Sequence, residues 1–280
     1  MIGRMACPLI AGGPWARHHP WMHVRARRLA PAVIIVAASA GAAVAAADDD
    51  DAGHVRSARQ AADVVTTARL LGRSVQGRPI RAFVRGDPQA PIAALVVGCI
   101  HGNERAGVAI ANRLRGWRPP AGMSLWIVPD INPDGAAANT RGNAHGVDLN
   151  RNFPFHWRPL GPPGTLQYAG PHPLSEPEDR IAHSLILRLR PRLTIWFHQP
   201  LSLTDRSGGD VRLERRYSRL SRLPLRQLPR YPGSITTWQD FRLKDGTAFV
   251  VELPAHVSRA ATRRYSWAVT RLVIDVATKG

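Results

Sequence analysis

His101 and Glu104 stand three residues apart, directly after the apolar run 92–100, and His198 closes another apolar run, 193–197. Two histidines and a carboxylate form the donor set of a catalytic zinc site that keeps its fourth position open. A spacing of three, across a strand end and a first helical turn, lets His101 and Glu104 point at one ion. Glu252 ends a third apolar run, 247–251. A carboxylate there could be the base that such a site needs. Arg141 and Arg151 lie in Gly/Asn-rich sequence. A guanidinium fork pairs with a carboxylate or steadies a developing oxyanion. Taken singly, each residue also has a plainer reading. His101 would be a capping or surface histidine, His198 a satisfied core histidine and Glu252 half of a buried salt bridge. The arginines would be solvated cations in an Arg-rich chain.

These groups converge only if the right elements carry them. The apolar runs 92–100, 124–128, 193–197 and 247–251 read as strands, the first of them buried on both faces. Residues 104–115, 176–190, 211–222 and 258–277 read as helices. So do residues 57–71, where Ala61, Val64, Val65, Ala68 and Leu71 recur at helical spacing. Residues 74–85 read as a hairpin turning near Gln76-Gly77, and the proline-rich stretch 154–173 as a long surface loop. Alternating strands and helices predict an α/β fold with a mixed, largely parallel sheet. In such sheets ligands bind at the carboxyl ends of the strands. That is where His101, Glu104, His198 and Glu252 fall.

The bulk properties fit one globular domain. The chain has 280 residues, 44% apolar and 21% charged, which excludes disorder throughout. Its only cysteines, Cys7 and Cys99, exclude a disulfide scaffold and a four-cysteine zinc site. Cys99 sits inside an apolar run, so a buried, inert thiol is expected. The net charge of +18 comes from 38 basic against 20 acidic residues. It points to an anionic partner or environment.

Residues 1–47 read as a signal peptide or N-terminal anchor. Arg25, Arg27 and Arg28 precede the apolar run 29–47, which ends in Ala45-Ala46-Ala47, and Met22 is a candidate start. Cleavage after Ala47 leaves 33 basic against 20 acidic residues, a net +13. A secreted or cell-envelope location is expected, with an N-terminal membrane anchor as the alternative. Residues 48–69 read as a lead-in and helix, and residues 70–280 as the catalytic domain.

A series of segments resembles the M14 zinc carboxypeptidases. In order they are GRSVQGRPI (72–80), HGNE (101–104), NPDG (132–135), RGNAHGVDLNRNFP (141–154), FH (197–198), PGSITTW (232–238) and VVELP (250–254). SEPE (175–178) and FHQPL (197–201) are similar to the murein peptide amidase branch. The resemblance implies a three-layer α/β/α fold of zinc carboxypeptidase type with one zinc per chain. It implies His101, Glu104 and His198 as zinc ligands and Glu252 as general base. Arg141 would polarise the scissile carbonyl, and Asn150 and Arg151 would clamp a terminal carboxylate.

Many members carry a tyrosine on a mobile loop. The aligned position here falls around Leu228, three residues from Tyr231, so a tyrosine lid is not expected. Ile235 falls where an acid gives some members a preference for basic residues, so no simple pocket for Lys or Arg is expected. Tyr231 and Ile235 are carried forward as substrate-side candidates.

The implied activity is hydrolysis of an amide next to a free carboxylate, with murein stem peptides as substrate. A general carboxypeptidase on L-peptides, an aspartoacylase-like deacylase and a wall-binding pseudoenzyme are the alternatives. No nucleic-acid partner is expected. Membrane contact is expected only through an uncleaved leader, and the chain is expected to be a monomer. The Arg-rich stretch 206–230 reads as a solvated helix face plus linker, or as a contribution to binding a polyanionic wall.

Overall fold

The computed structural model describes residues 67–278. The leader read at 1–47 and the lead-in read at 48–69, as far as residue 66, lie outside the described residues. Eight strands form one sheet: β1 (Thr67–Arg73), β2 (Pro79–Gly86), β3 (Ile92–Val97), β4 (Met123–Val128), β5 (Leu193–His198), β6 (Leu201–Asp205), β7 (Leu225–Arg226) and β8 (Thr247–Pro254). Their order is β1-β2-β4-β3-β5-β8-β6-β7. The central four, β4, β3, β5 and β8, are mutually parallel, whereas β1, β2 and β6 join by antiparallel ladders. Among the described residues six α-helices accompany them: α1 (Ala106–Leu114), α2 (Pro133–Ala138), α3 (Pro177–Leu189), α4 (Val211–Ser221), α5 (Ile235–Arg242) and α6 (Arg259–Ala277).

Side chains alternate across a strand, so a sheet buried on both faces needs apolar residues at every position. The central strands show this. Ala94 and Val96 of β3, Leu125 and Ile127 of β4, and Ile195 and Phe197 of β5 face one way. They pack there on Ile110 of α1, Tyr217 of α4 and Leu272 of α6. Leu95, Val97, Trp126, Val128 and Trp196 face the other way, onto Leu185 of α3 and Trp238 of α5. The result is the expected three-layer α/β/α arrangement with a mixed sheet. Among the described residues no helix is long and apolar enough to cross a membrane.

Most elements fall where the sequence places them, including the turn at Gln76-Gly77, closed by the Gly77 N–H donating to the Ser74 carbonyl at 2.9 Å. The helix read over 57–71 is corrected where it can be seen: residues 67–71 belong to β1. The ladder to β2, from Thr67↔Val84 to Arg73↔Pro79, takes the backbone hydrogen bonds that a helix would have used. Of the supposed apolar stripe, Ala68 is exposed and Leu71 only half-buried. Sequence reading also passed over α2, α5, β6 and β7. In α4 only Leu213, Glu214, Tyr217 and Ser221 are buried. Its arginines therefore belong largely to a solvated face. Cys99 is fully buried and free, and burial, followed by the nearby Asp130, pushes its thiol far above the usual range. The expectation of a buried thiol holds.

Candidate active site

The parallel core sets the spacing of the reactive groups. His198 is the last residue of β5, and in the ladder to β8 its register partner is Glu252. His101 and Glu104 follow just past β3, between those strands and β4. Two motifs lock that turn. A Cβ at Gly102 would lie 1.9 Å from the carbonyl carbon of Gly135, so glycine is required for HGNE to lie against NPDG. Asn132 caps α2 by accepting the Gly135 N–H at 2.9 Å, while its Nδ2 donates to the Ile100 carbonyl at 3.0 Å. Asp134 accepts from Ser74 Oγ (2.8 Å), the Gln76 N–H (2.9 Å) and Arg78 (2.7 Å). NPDG and GRSVQGRPI thus act as scaffold.

Three donor atoms meet at the strand ends. His101 Nδ1 lies 3.0 Å from Glu104 Oε2, and His198 Nδ1 lies 3.1 Å from each of those two atoms. All three residues are buried. Burial alone would raise the Glu104 carboxyl, but the two imidazoles outweigh it and hold it well below the usual carboxylate range. His101 is drawn downward by burial and more strongly upward by Asp148 and Glu104, so its net shift is up. Two imidazole nitrogens and a carboxylate oxygen converging out of water suit a divalent cation.

The far side of His101 supplies the test of fit. Its Nε2 lies 2.9 Å from Oδ1 of Asp148, a fully buried carboxylate. A proton on Nε2 leaves the Nδ1 lone pair aimed at the cluster, the orienting arrangement that metal-binding histidines use. Asp148 does more than that. Its Oδ1 also accepts the Asn150 N–H at 2.9 Å, and its Oδ2 accepts from Arg141 Nε at 3.0 Å. Burial acts to raise its carboxyl, and His101, Arg141 and Arg151 together hold it far below the usual range. Asp148→Asn keeps the helix cap but removes the charge. We expect about 10–100-fold weaker metal binding, read by competition with a chelating chromophore. Unchanged affinity would show that Asp148 serves the fold alone.

The donors open onto a cavity of about 390 Å³. Glu252, Arg141, Asn150, Arg151 and Tyr231 all line it, so the structure brings these sequence candidates together. Glu252 is 8% exposed, its Oε2 has no partner, and burial pushes its carboxyl up. Arg141 reaches from Asp148 to Glu104, donating to Oε1 at 2.8 Å. Asn150 Oδ1 accepts the Ile235 N–H at 3.0 Å, which directs its Nδ2 donors elsewhere.

Arg151 is buried, with its Nε unpartnered and its guanidinium 4.1 Å over the Tyr231 ring. Burial lowers its pKa. That cation lacks the acceptor a carboxylate would supply. Gly233, at φ +71°, lets the 231–234 loop run against Arg151, where a Cβ would meet the Arg151 carbonyl oxygen at 1.9 Å.

Ile235 is the exception. Its side chain is fully buried in the core with Phe153 and Trp238, and it does not line the cavity. Ser234, Thr236 and Thr237 line that wall. An acid does reach the cavity from another element: Asp205, at the end of β6. Sequence reading missed both Asp205 and Asp148. It also left open what Gln199 does. Gln199 Oε1 accepts the Ala106 N–H at 2.8 Å, and its Nε2 donates to the Pro254 and Ala255 carbonyls at 3.0 Å. Its side chain thus ties the start of α1 to the end of β8, just before a cis Gln199–Pro200 peptide bond.

Comparison with known proteins agrees with this geometry. The zinc carboxypeptidase family model, Peptidase_M14, matches residues 121–201. Murein peptide amidase A of Escherichia coli K12 is 30% identical over 220 residues, spanning 72% of this chain and 87% of the relative. The crystal structure of a murein-tripeptide amidase from Escherichia coli O157 aligns with a TM-score of 0.60 at 28% identity. That alignment covers 74% of this chain and 91% of the other. Bovine thrombin-activatable fibrinolysis inhibitor shares the fold, with a TM-score of 0.66 at 18% identity over 81% of this chain and 95% of that one. The chain belongs to the M14 zinc carboxypeptidase family, is a hydrolase, and is similar over most of its length to the murein peptide amidases.

Proposed function

We propose that this protein is an exported amidase, with one zinc per chain, that cuts the γ-D-glutamyl–diaminopimelate bond of murein peptides. The observation that carries the chemistry is the cavity these residues share. It holds the His101/Glu104/His198 donor set, an unpartnered Glu252 carboxylate oxygen and the buried Arg151 with an unspent donor. Similarity to murein peptide amidase A over 87% of that relative supports a murein peptide as the substrate. The leader-like residues 25–47 and the net charge of +18 support work at a polyanionic wall. Outside the cytoplasm, intact stem peptides or released wall fragments would be the substrates.

The residues divide the work. Asn150 and Arg151 take the free carboxylate beside the scissile amide, and Tyr231 forms an aromatic face against the Arg151 guanidinium. Arg141 presents donors to the carbonyl oxygen as charge grows there. Glu252 takes the proton from the attacking water and returns it to the leaving amine. Zinc, when bound by His101, Glu104 and His198, would supply Lewis-acid polarisation.

A mass-spectrometric digest tests this reading. The zinc-loaded protein is incubated with L-Ala-γ-D-Glu-diaminopimelate and, separately, with a library of ordinary L-peptides. Release of free diaminopimelate alone is the expected result. Trimming of L-peptides alone would replace the reading with a general carboxypeptidase. Inactivity on both, with zinc bound, would point to deacylation and call for N-acyl amino acids as substrates.

A further inference from the structure

The cavity wall contains an ion pair that the chemistry above does not use. Arg230 Nη1 donates to Asp205 Oδ2 at 2.8 Å, and both residues line the same cavity as Glu252 and Arg151. The sheet explains why Asp205 is there. Leu203 of β6 is the register partner of Glu252, and Thr204 that of Val251. One step further, Asp205 comes opposite Val250, on the same face as Glu252, and Val250 also lines the cavity.

The pair has capacity to spare. A carboxylate offers about four lone-pair sites. Asp205 commits three of them, to the Leu228 N–H (2.8 Å), Ser207 Oγ (3.1 Å) and Arg230. Arg230 has five N–H donors, and besides Asp205 it donates to the Arg206 carbonyl. One acceptor site and several donors are therefore left side by side. Asp205 is 2% exposed while the Arg230 side chain is 33% exposed, so a ligand that covered the pair without hydrogen-bonding to it would strand the buried carboxylate and strip water from the guanidinium.

We propose that Asp205 and Arg230 form a specificity-determining pair that reads a substrate side chain ending in both an ammonium and a carboxylate. The ammonium fills the open site on Asp205, and the carboxylate takes the remaining donors of Arg230. Diaminopimelate carries such an end, lysine carries only the ammonium, and norleucine carries neither. The inference rests on the murein reading of the site and adds how the second amino-acid end is selected. It also replaces Ile235 as the position that decides side-chain charge preference.

Three peptides, L-Ala-γ-D-Glu-X with X as meso-diaminopimelate, L-lysine or L-norleucine, are compared on the zinc-loaded full chain. Wild type is expected to prefer diaminopimelate over norleucine by about a hundredfold in kcat/KM, the scale of two charge-assisted hydrogen bonds won or lost together. Arg230→Gln should lower kcat/KM for the diaminopimelate peptide about 10–100-fold, mainly through KM, and leave the lysine peptide within about threefold. Asp205→Asn, checked for an unchanged melting temperature, should weaken the diaminopimelate and lysine peptides and spare norleucine. Calorimetry of free meso-diaminopimelate against lysine should show the same order without turnover.

If Arg230→Gln slows all three peptides equally, the pair is structural and the inference is overturned. If wild type cleaves all three alike, the amidase reading stands and the pair's role falls. If wild type cleaves none of them, the amidase reading falls and takes this inference with it.

Discussion

Glu252→Gln is expected to lower kcat about 10²–10⁴-fold, the usual contribution of a positioned general acid–base, while the protein still binds one zinc. Glutamine matches the shape of glutamate and keeps a polar group at the end of β8, so the ladder to His198 should survive. What it loses is the ability to accept a proton from water and hand it on. The structure separates this role from metal binding. Glu252 stands outside the three-residue donor cluster, and its Oε2 is unpartnered. Metal content by mass spectrometry and single-turnover kinetics would be measured together. A variant as active as wild type would end the assignment of Glu252 as the base.

His198→Ala should fail in the opposite way, losing metal and activity together. His198 supplies one of the three donors in the cluster, and its Nδ1 lies 3.1 Å from both of the others. Losing an outer partner of a ligand costs about 10–100-fold in affinity, and losing the ligand itself should exceed that range. The chain should still fold, because the core around Phe197 and Trp196 is untouched. Circular dichroism with a zinc titration checks both points. Full zinc occupancy at wild-type affinity would place the ion elsewhere. The two variants form one contrast: metal kept and turnover lost, against both lost.

The central strands were legible because burial on both faces leaves continuous apolar runs, as in residues 92–97 and 193–197. Each run ends abruptly on a reactive residue, so the donor set and Glu252 could be read from type and position. β1 was misread because Ala68 and Leu71 match a helical spacing, whereas the ladder to β2 decides the conformation. Asp148 was hidden inside DLNR. An aspartate two residues before Asn150 looks like a turn-former, and it is one, capping the 3₁₀ turn Leu149–Arg151. Its grip on His101 is a contact across 47 residues of chain that no local pattern records. Asp205 lies on a short strand between Arg-rich stretches, where an acid reads as ordinary surface charge. Ile235 shows the converse. An alignment position can be right while the side chain points into the core and its backbone N–H does the work, here holding Asn150.

The pairing of His198 with Glu252 across neighbouring strands has a consequence for how this enzyme can change. The gap between a metal ligand and the proton-transfer group is set by the sheet's own repeat, about 4.8 Å between strands, and loop conformation does not enter. Arg230, Tyr231, Leu166 and Gln167, which line the cavity, come from irregular chain. Insertions and substitutions there can retune what is cut while the reacting distance stays fixed by the backbone ladder. The fold thus works as a ruler with an exchangeable mouth: drift in selectivity need not pass through an inactive intermediate.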